Sequence, residues 1–469
     1  MPLPMSPADS VFLHGESREH PMHVGGLVLL QPPDGADAHD VREMLDQAIA
    51  RNQVTPLLGK RPRRSVSSLG QWSWEPDAQF DIGHHIRHDA LAQPGGMREL
   101  SALVSRLHST LLDRNRPLWE IHLIEGLANG HYAVYTKIHH SVADGVSAMR
   151  LLRRSLSIDS DKRDMPAPWE PRGHTERPTA ADGGLLDLPL SAVRTAVDVV
   201  GEATGLVPAV ADTVLRAFRN QGGPVSFAAP HSVLNVPITG ARQFAARSWS
   251  LDRLRLVAKY ADATINDVVL AMCSGALRRY LERDGALPDR SLVAMVPVSL
   301  RGEREQPQPI SAPNEQSGNR IGTLMCNLGT DLTDPAARLE RIRTSMVEGK
   351  AALRGMSTAQ ILAMSALGSA PLALDMLLGH HGPVRPPYNL VISNVPGPNS
   401  PLYWNGARLE ALYPLSLPLD GQALNITCTS TDNSIAFGLT GCRRAVPQLA
   451  PILDGLDAEL DALETAVGI

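Results

Sequence analysis

From residue 131 to 139 the chain alternates with a period of two. Tyr132, Val134, Thr136 and Ile138 share one parity, and Ala133, Tyr135, Lys137 and His139 share the other, as in a β-strand with two distinct faces. The period then lengthens: Val146, Met149, Leu152 and Leu156 recur at helical spacing. The junction between strand and helix therefore falls on His139-His140-Ser141-Val142-Ala143-Asp144-Gly145. If the strand runs to its end, His140 points with Val134 and Ile138, and His139 points to the opposite face.

The same reading organises the rest of the chain. Val24–Leu30 and Ile121–Ile124 read as strands. Asp40–Arg51 reads as a helix with Val41, Leu45, Ala48 and Ile49 on one side, and Arg98–Leu112 reads as another. Residues 159–184 change character: they are charged, contain Pro166, Pro168, Pro171 and Pro178, and end in Gly183-Gly184, the composition of a linker. Leu185–Arg219 is an Ala/Val/Leu-rich helical stretch broken near Gly205 and Pro208, and 222–240 is extended. The mixed pattern then resumes, with strands at Phe244–Ser250 and Leu292–Val298 and helices at Leu251–Ala261 and Ile265–Asp284. The expectation is an α/β chain of two mixed halves, 1–158 and 241–469, joined by a long crossover at 159–240. No short-period repeat is visible.

Composition narrows the class. At 469 residues the chain exceeds one small core, and 43% apolar and 20% charged residues are the values of a soluble globular protein. A net charge of −5 without a long basic run argues against nucleic acid as the main partner. Cys273, Cys326, Cys428 and Cys442 lack C-x-x-C spacing, so neither a disulfide framework nor a metal site is expected, and reduced thiols fit a cytoplasmic setting. The first residues, MPLPMSPADS, carry no secretory pattern. Gly355–Leu374 is uncharged but holds several polar residues, two glycines and Pro371. It reads as a buried helix, with a lining of a lipid channel or a membrane-touching face as the alternative.

The junction at 139–145 is the candidate chemistry. An imidazole at a strand end beside a helix N-terminus tends to stay neutral, as a general base must be. Asp144 falls near the N-cap and reads as a structural anion, with Arg301 or Arg320 as candidate partners. Gly145 would allow a tight turn or a close approach. The segment alone is equally compatible with a structural turn. His84-His85 and His380-His381 lack the Asp-Gly and read as ordinary histidines. No G-x-S-x-G elbow, P-loop, dinucleotide fingerprint or H-E-x-x-H cluster is present. A histidine without a covalent partner fits direct transfer, in which an alcohol or amine attacks an activated acyl group. Asn266, at the start of a helix, is a candidate oxyanion donor, although Asn266 and Asp267 read first as caps.

Several blocks in order resemble the bacterial wax ester synthase/acyl-CoA:diacylglycerol acyltransferases across nearly the whole chain. They are Met5-Ser6-Pro7 with Phe12-Leu13, Pro21-Met22-His23-Val24-Gly25-Gly26, Asp113-Arg114 through Pro117-Leu118-Trp119-Glu120, and Glu125-Gly126-Leu127. His139 through Gly145, Asn266 through Ala271, Val296 through Arg301, Gly318-Asn319-Arg320 and Ser393 through Pro398 complete the set. The resemblance implies two chloramphenicol-acetyltransferase-like halves with a tunnel and active site between them. It implies His140 as base, His139 as its supporting neighbour and Asp144 as structural carboxylate. Asn266 and Asp267 would be second-half site residues. Pro117, Leu118, Trp119, Arg301 and Asn319 would be channel or structural residues. Long-chain acyl-CoA would be a substrate, with no separate cofactor or metal. The acceptor would be a diacylglycerol, a long-chain alcohol or both, at a peripheral membrane or lipid-droplet surface. A relative using a carrier-bound donor, and a silent lipid-binding member, are the alternatives.

Overall fold

The alternating stretch at 131–139 forms the middle of a sheet. The computed structural model describes residues 3–36, 38–64, 70–128, 130–143, 145–171, 229–299, 321–354 and 386–469. Its first part runs β1 (Leu3–Pro4), α1 (Pro7–Gly15), β2 (His23–Gln31), α2 (Ala38–Ala50), β3 (Lys60–Arg64), β4 (Trp72–Pro76), α3 (Ile82–His85), β5 (Ile86–Ala90), α4 (Met97–Ser109), β6 (Trp119–Glu125), β7 (Tyr132–His139) and α5 (Gly145–Arg154). The second runs β8 (Arg242–Ser250), α6 (Leu251–Tyr260), α7 (Ile265–Arg283), β9 (Val293–Ser299), β10 (Ile321–Asn327), α8 (Pro335–Arg354), β11 (Leu390–Val395), β12 (Tyr403–Trp404), β13 (Ala407–Leu415), β14 (Leu424–Thr431), β15 (Ser434–Cys442) and α9 (Ala450–Val467). The helices and strands expected from periodicity up to residue 158, and again from 244 to 298, form within a few residues of the expected ends. The segments at 185–219 and Gly355–Leu374 lie outside the described residues. Among the described residues no helix is long and apolar enough to cross a membrane.

Two six-stranded sheets carry the fold, in the orders β12-β13-β2-β7-β6-β5 and β10-β9-β11-β14-β15-β8, with a small β1-β4-β3 sheet beside α1. Residues 403–415, which chain order places in the 241–469 half, are β12 and β13 of the first sheet. β13 pairs antiparallel with β2 from Arg408↔Gln31 to Leu415↔Gly25. Order along the chain does not reveal this, because alternation shows which faces are apolar and not which strand is the neighbour.

The sheets meet at a polar seam. β8 is an edge strand whose outward amides would need partners. Ser109 and Ser105, one turn apart on α4, accept the N–H groups of Arg242 and Phe244 at 2.8 and 2.9 Å. Ser248 on β8 donates to the Tyr413 hydroxyl of β13 at 3.1 Å. At Gly438 of β15 a Cβ would collide with the carbonyl oxygen of Pro414 in β13, so the two sheets approach as closely as backbone permits. Behind the second sheet, α7 is buried along most of its length and packs against α9, where a Cβ on Gly455 would lie 2.9 Å from the Cα of Ala276. Buried Glu459 of α9 pairs with Arg338 of α8.

β7 is covered on both faces, by clusters containing Tyr132 and Ile138 on one side and Ala133 and Tyr135 on the other. Its Lys137 is nevertheless only 1% exposed. The ammonium uses all three donors, toward Glu120 Oε2 at 3.0 Å and the carbonyls of Leu107 and Thr110 at 3.1 and 3.0 Å. It thereby closes the C-terminal end of α4. Burial opposes ionisation of Glu120, but His122 and Lys137 outweigh it and bring its carboxyl from 4.5 to about 2.

Three outcomes are expected. Lys137→Met leaves the half-buried Glu120 without its nearest cation, with Arg87 at 3.5 Å remaining, and should cost about 3 kcal/mol in denaturant unfolding, partly recovered by adding Glu120→Gln. The contribution of Glu120 is full above pH 4.5 and lost as pH falls toward 2, so the wild type should lose more stability across that window than Glu120→Gln. Gly438→Val should lower the unfolding midpoint by an amount equivalent to about 1–3 kcal/mol or more, since backbone rather than a side chain would have to move.

Candidate active site

β7 delivers the histidine pair to the edge of a tight turn. The N–H of His139 donates to Leu118 O at 3.0 Å, and that of His140 donates to Met22 O at 2.8 Å. The carbonyl of His139 accepts from the N–H groups of Val142 and Ala143 at 2.9 and 3.3 Å. Strand pairing extends to the last residue, with His139 opposite His23 of β2. The backbone under both imidazoles is thus held from β2 on one side and from the Pro117–Trp119 turn on the other.

The two rings have different surroundings. His139 is 0% exposed and His140 is 9% exposed. Nδ1 of His139 accepts the N–H of Ser141 at 3.1 Å, with Ser141 Oγ at 2.7 Å. A backbone N–H can only donate, so Nδ1 holds a lone pair and the ring proton of the neutral form sits on Nε2. Nε2 faces Glu16 Oε1 at 3.4 Å, a separation at which charge attraction counts for more than hydrogen-bond geometry. His140 stacks on Phe12, with ring centroids 4.4 Å apart and planes 17° from parallel.

Phe12 comes from the N-terminal helix and Glu16 is its C-cap. Ser6 caps α1 by accepting the N–H of Asp9 at 3.0 Å, and Glu16 ends it by donating its N–H to Phe12 O at 3.0 Å. Phe12 and Glu16 are four residues apart and face the same way. The Glu16 side chain is 1% exposed, and Arg114 reaches its Oε2 with Nε at 2.9 Å and Nη2 at 2.8 Å. Burial would raise the Glu16 carboxyl, yet the contacts with His139 and Arg114 pull it down to about 2. The carboxylate is charged at any ordinary pH.

The other residues singled out from sequence fall in three groups. Pro117, Leu118 and Trp119 are buried and form the turn that enters β6. The Trp119 indole donates to Leu58 O at 2.7 Å and stacks on His85 at 4.5 Å. In α7, Thr264 is the N-cap and Asp267 completes a capping box: Thr264 Oγ1 accepts the Asp267 N–H at 3.2 Å, and Asp267 Oδ2 accepts the Thr264 N–H at 2.9 Å. Asn266 lies on the first turn and has no described side-chain hydrogen bond. Asp144, Arg301, Asn319 and Arg320 lie outside the described residues. Gly145 opens α5 without a left-handed φ, and a Cβ there would meet no described atom within 4 Å. In Ser393 through Pro398 the need for glycine is clear, because a Cβ on Gly397 would collide with Ser430 O. Glu16, Arg114 and Ser141 are neighbours of the pair that sequence reasoning did not assign; Arg114 and Ser141 sat in blocks that drew attention to them, and Glu16 did not. Among the described residues no group of three His, Cys, Asp or Glu is placed to hold a metal.

Comparison with known proteins places this arrangement. The pattern described as "Wax ester synthase/diacylglycerol acyltransferase catalytic domain" matches residues 5–269, and "WS/DGAT C-terminal domain" matches 317–464. A Mycobacterium tuberculosis H37Rv protein provisionally named a diacylglycerol O-acyltransferase is 53% identical over 469 residues, covering 99% of this chain and 91% of the relative. A second from the same strain is 47% identical over 467 residues, covering 99% of both. The solved wax ester synthase/diacylglycerol acyltransferase of Marinobacter aquaeolei VT8 superposes with a TM-score of 0.77 at 39% identity, covering 99% of this chain and 100% of that one. The first condensation domain of the calcium-dependent antibiotic synthetase shares the fold, with a TM-score of 0.58 at 17% identity over 100% of this chain and 96% of that one. With the histidine pair inside the matched catalytic region, the chain is an acyltransferase that belongs to the wax ester synthase/diacylglycerol acyltransferase family.

Proposed function

We propose that this enzyme moves a long-chain acyl group from acyl-CoA to the hydroxyl of a diacylglycerol or a long-chain alcohol, with His140 as general base. The observation that carries the assignment is the contrast between the two imidazoles. His139 is sealed from solvent between Ser141 and Glu16, and His140, though largely buried, is the motif ring that keeps some exposure, 9%.

The chemistry is direct. His140 takes the hydroxyl proton as the oxygen attacks the thioester carbonyl. The C–O bond forms, the C–S bond breaks, and the departing CoA sulfur receives the proton. No acyl-enzyme is required if donor and acceptor are bound together, so proximity supplies much of the rate. The stack on Phe12 limits rotation of the base. Asp144 is proposed as the structural carboxylate of the turn, and Asn266 as a second-half residue facing the reacting groups.

Substrates this apolar partition into bilayers and droplets, so the enzyme works from the cytoplasmic side at a lipid surface it touches peripherally. The segments proposed for that contact, 185–220 and 355–378, lie outside the described residues.

Purified protein should release thiol from palmitoyl-CoA only when a dipalmitin-type diacylglycerol or hexadecanol is present, and the ratio of the two rates ranks the acceptors. His140→Ala should reduce release by about 100-fold or more while the circular dichroism spectrum is kept. Turnover retained in that variant would remove His140 from its role. Release from an acyl-carrier protein but not from palmitoyl-CoA would replace the donor. In flotation with liposomes containing diacylglycerol the protein should rise with the vesicles, and a wholly soluble fraction would contradict surface contact.

A further inference from the structure

We infer that α1 is a working part of the active site: Phe12 and Glu16, one turn apart, are positioning residues that set the two motif imidazoles from outside the motif. The inference rests on the reading of His140 as base and adds how that base is aimed.

The argument starts from what the turn must resist. His139 and His140 are adjacent, so their backbone is shared, and a rotation at one displaces the other. His139 is the fixed member only if both of its ring nitrogens are committed. Ser141 commits Nδ1 by donating its backbone N–H at 3.1 Å. Nε2 is left for Glu16, at 3.4 Å, and among the described residues no other polar group is within hydrogen-bond distance of it. Remove the charge from Glu16 and that nitrogen, buried and carrying the proton, has only a weak partner, which favours a flipped or rotated ring.

Glu16 is itself held. Arg114 grips Oε2 through Nε and Nη2, and its Nη2 also donates to the Glu16 carbonyl at 3.2 Å. The N–H of Met22 reaches Oε1 at 3.4 Å, while the carbonyl of Met22 accepts the N–H of His140 at 2.8 Å. One carboxylate therefore touches the ring of His139 and, through Met22, the backbone of His140. Phe12 completes the clamp by lying flat on the His140 ring. The i, i+4 spacing puts both side chains on one helix face, so a single rigid element sets the mutual orientation of the pair. None of these groups bonds to or exchanges a proton with a substrate in the proposed step; each acts through one of the two histidines, which makes their roles positional.

The test is kinetic and uses the full-length enzyme with palmitoyl-CoA and hexadecanol or a dipalmitin-type diacylglycerol, whichever acceptor the wild type prefers. Glu16→Gln keeps shape and removes charge. It should lower kcat by roughly 10–100-fold, the scale of a misplaced reacting group, with KM for palmitoyl-CoA within about twofold. A double-mutant cycle separates positioning from general loosening. In a His139→Ala background, Glu16→Gln should change kcat by less than about twofold, because the ring on which its charge acts is gone while the amide oxygen can still accept the Met22 N–H. Phe12→Leu, which keeps apolar volume and loses the flat stack, should lower kcat about 3–10-fold at unchanged KM. It carries the test if Glu16→Gln does not fold. A kcat within twofold of wild type in Glu16→Gln, or an equal loss with and without His139, overturns the inference. So does a full-rate Phe12→Leu where Glu16→Gln cannot be obtained. These outcomes are distinct from failure of the underlying reading, which would show as turnover surviving in His140→Ala.

Discussion

The structure depends on balancing charge at the end of one central strand. β7 is covered on both faces, yet its last three positions include a lysine and a histidine, and a second histidine follows at once. Each must find a partner inside, because an uncompensated buried polar group costs more than most packing contacts contribute. Lys137 is satisfied by Glu120 and two helix-end carbonyls. His139 is satisfied by Ser141 and Glu16. Glu16 in turn needs Arg114, whose side chain is 36% exposed, so the chain of compensation ends where it meets water. Apolar residues at these positions would pack with fewer conditions. The polar ones oblige α1, α4, β2 and the Pro117–Trp119 turn to sit where they do.

The seam between the sheets follows a related logic. β8 has an unpaired edge, and the serines of α4 satisfy two of its amides, so the first part of the chain covers the exposed edge of the second. β13 does the reverse and completes the first sheet beyond β2. Each part thus supplies what the other lacks. The glycine at 438 allows the close backbone approach on which the seam depends. His140 therefore stands in a sheet assembled from both ends of the chain.

Legibility in the sequence divides along distance. The β7-to-α5 junction, the apolar side of α2, and the T-I-N-D start of α7 are local patterns, and each was readable from a few adjacent residues. The sequence marked Asn266 and Asp267 as caps; Asp267 does cap, in a box with Thr264 three residues before it, and Asn266 does not. The partner of His139 is not local. Glu16 lies more than a hundred residues upstream, in a helix with nothing in its own spacing to mark that carboxylate as buried. β3 was unreadable for a different reason: Lys-Arg-Pro-Arg-Arg has no apolar alternation, and its strand character comes from pairing with β4. The blocks that carry the family resemblance point to the right region without saying which side chains touch. Pro117 through Trp119 prove to be a packed turn, while Arg114 just before them proves to be the cation of the site.

The borrowed strand has a consequence for how the protein is made. β2 is complete by residue 31, and the strand that covers its outer edge begins at residue 407. At about 5–20 residues per second of synthesis, roughly twenty seconds to over a minute separate the two. Once β7 is made, and until residue 407 follows, the nascent chain holds β2 beside β7 with one row of backbone amides and carbonyls unpaired, in a segment rich in leucine and valine. An open apolar edge of that kind recruits neighbouring chains on crowded polysomes. The same constraint makes the order of the two halves matter: a rearranged gene that emitted residues 403–415 first would shorten the exposure, and a truncated message would release a product with its sheet permanently open.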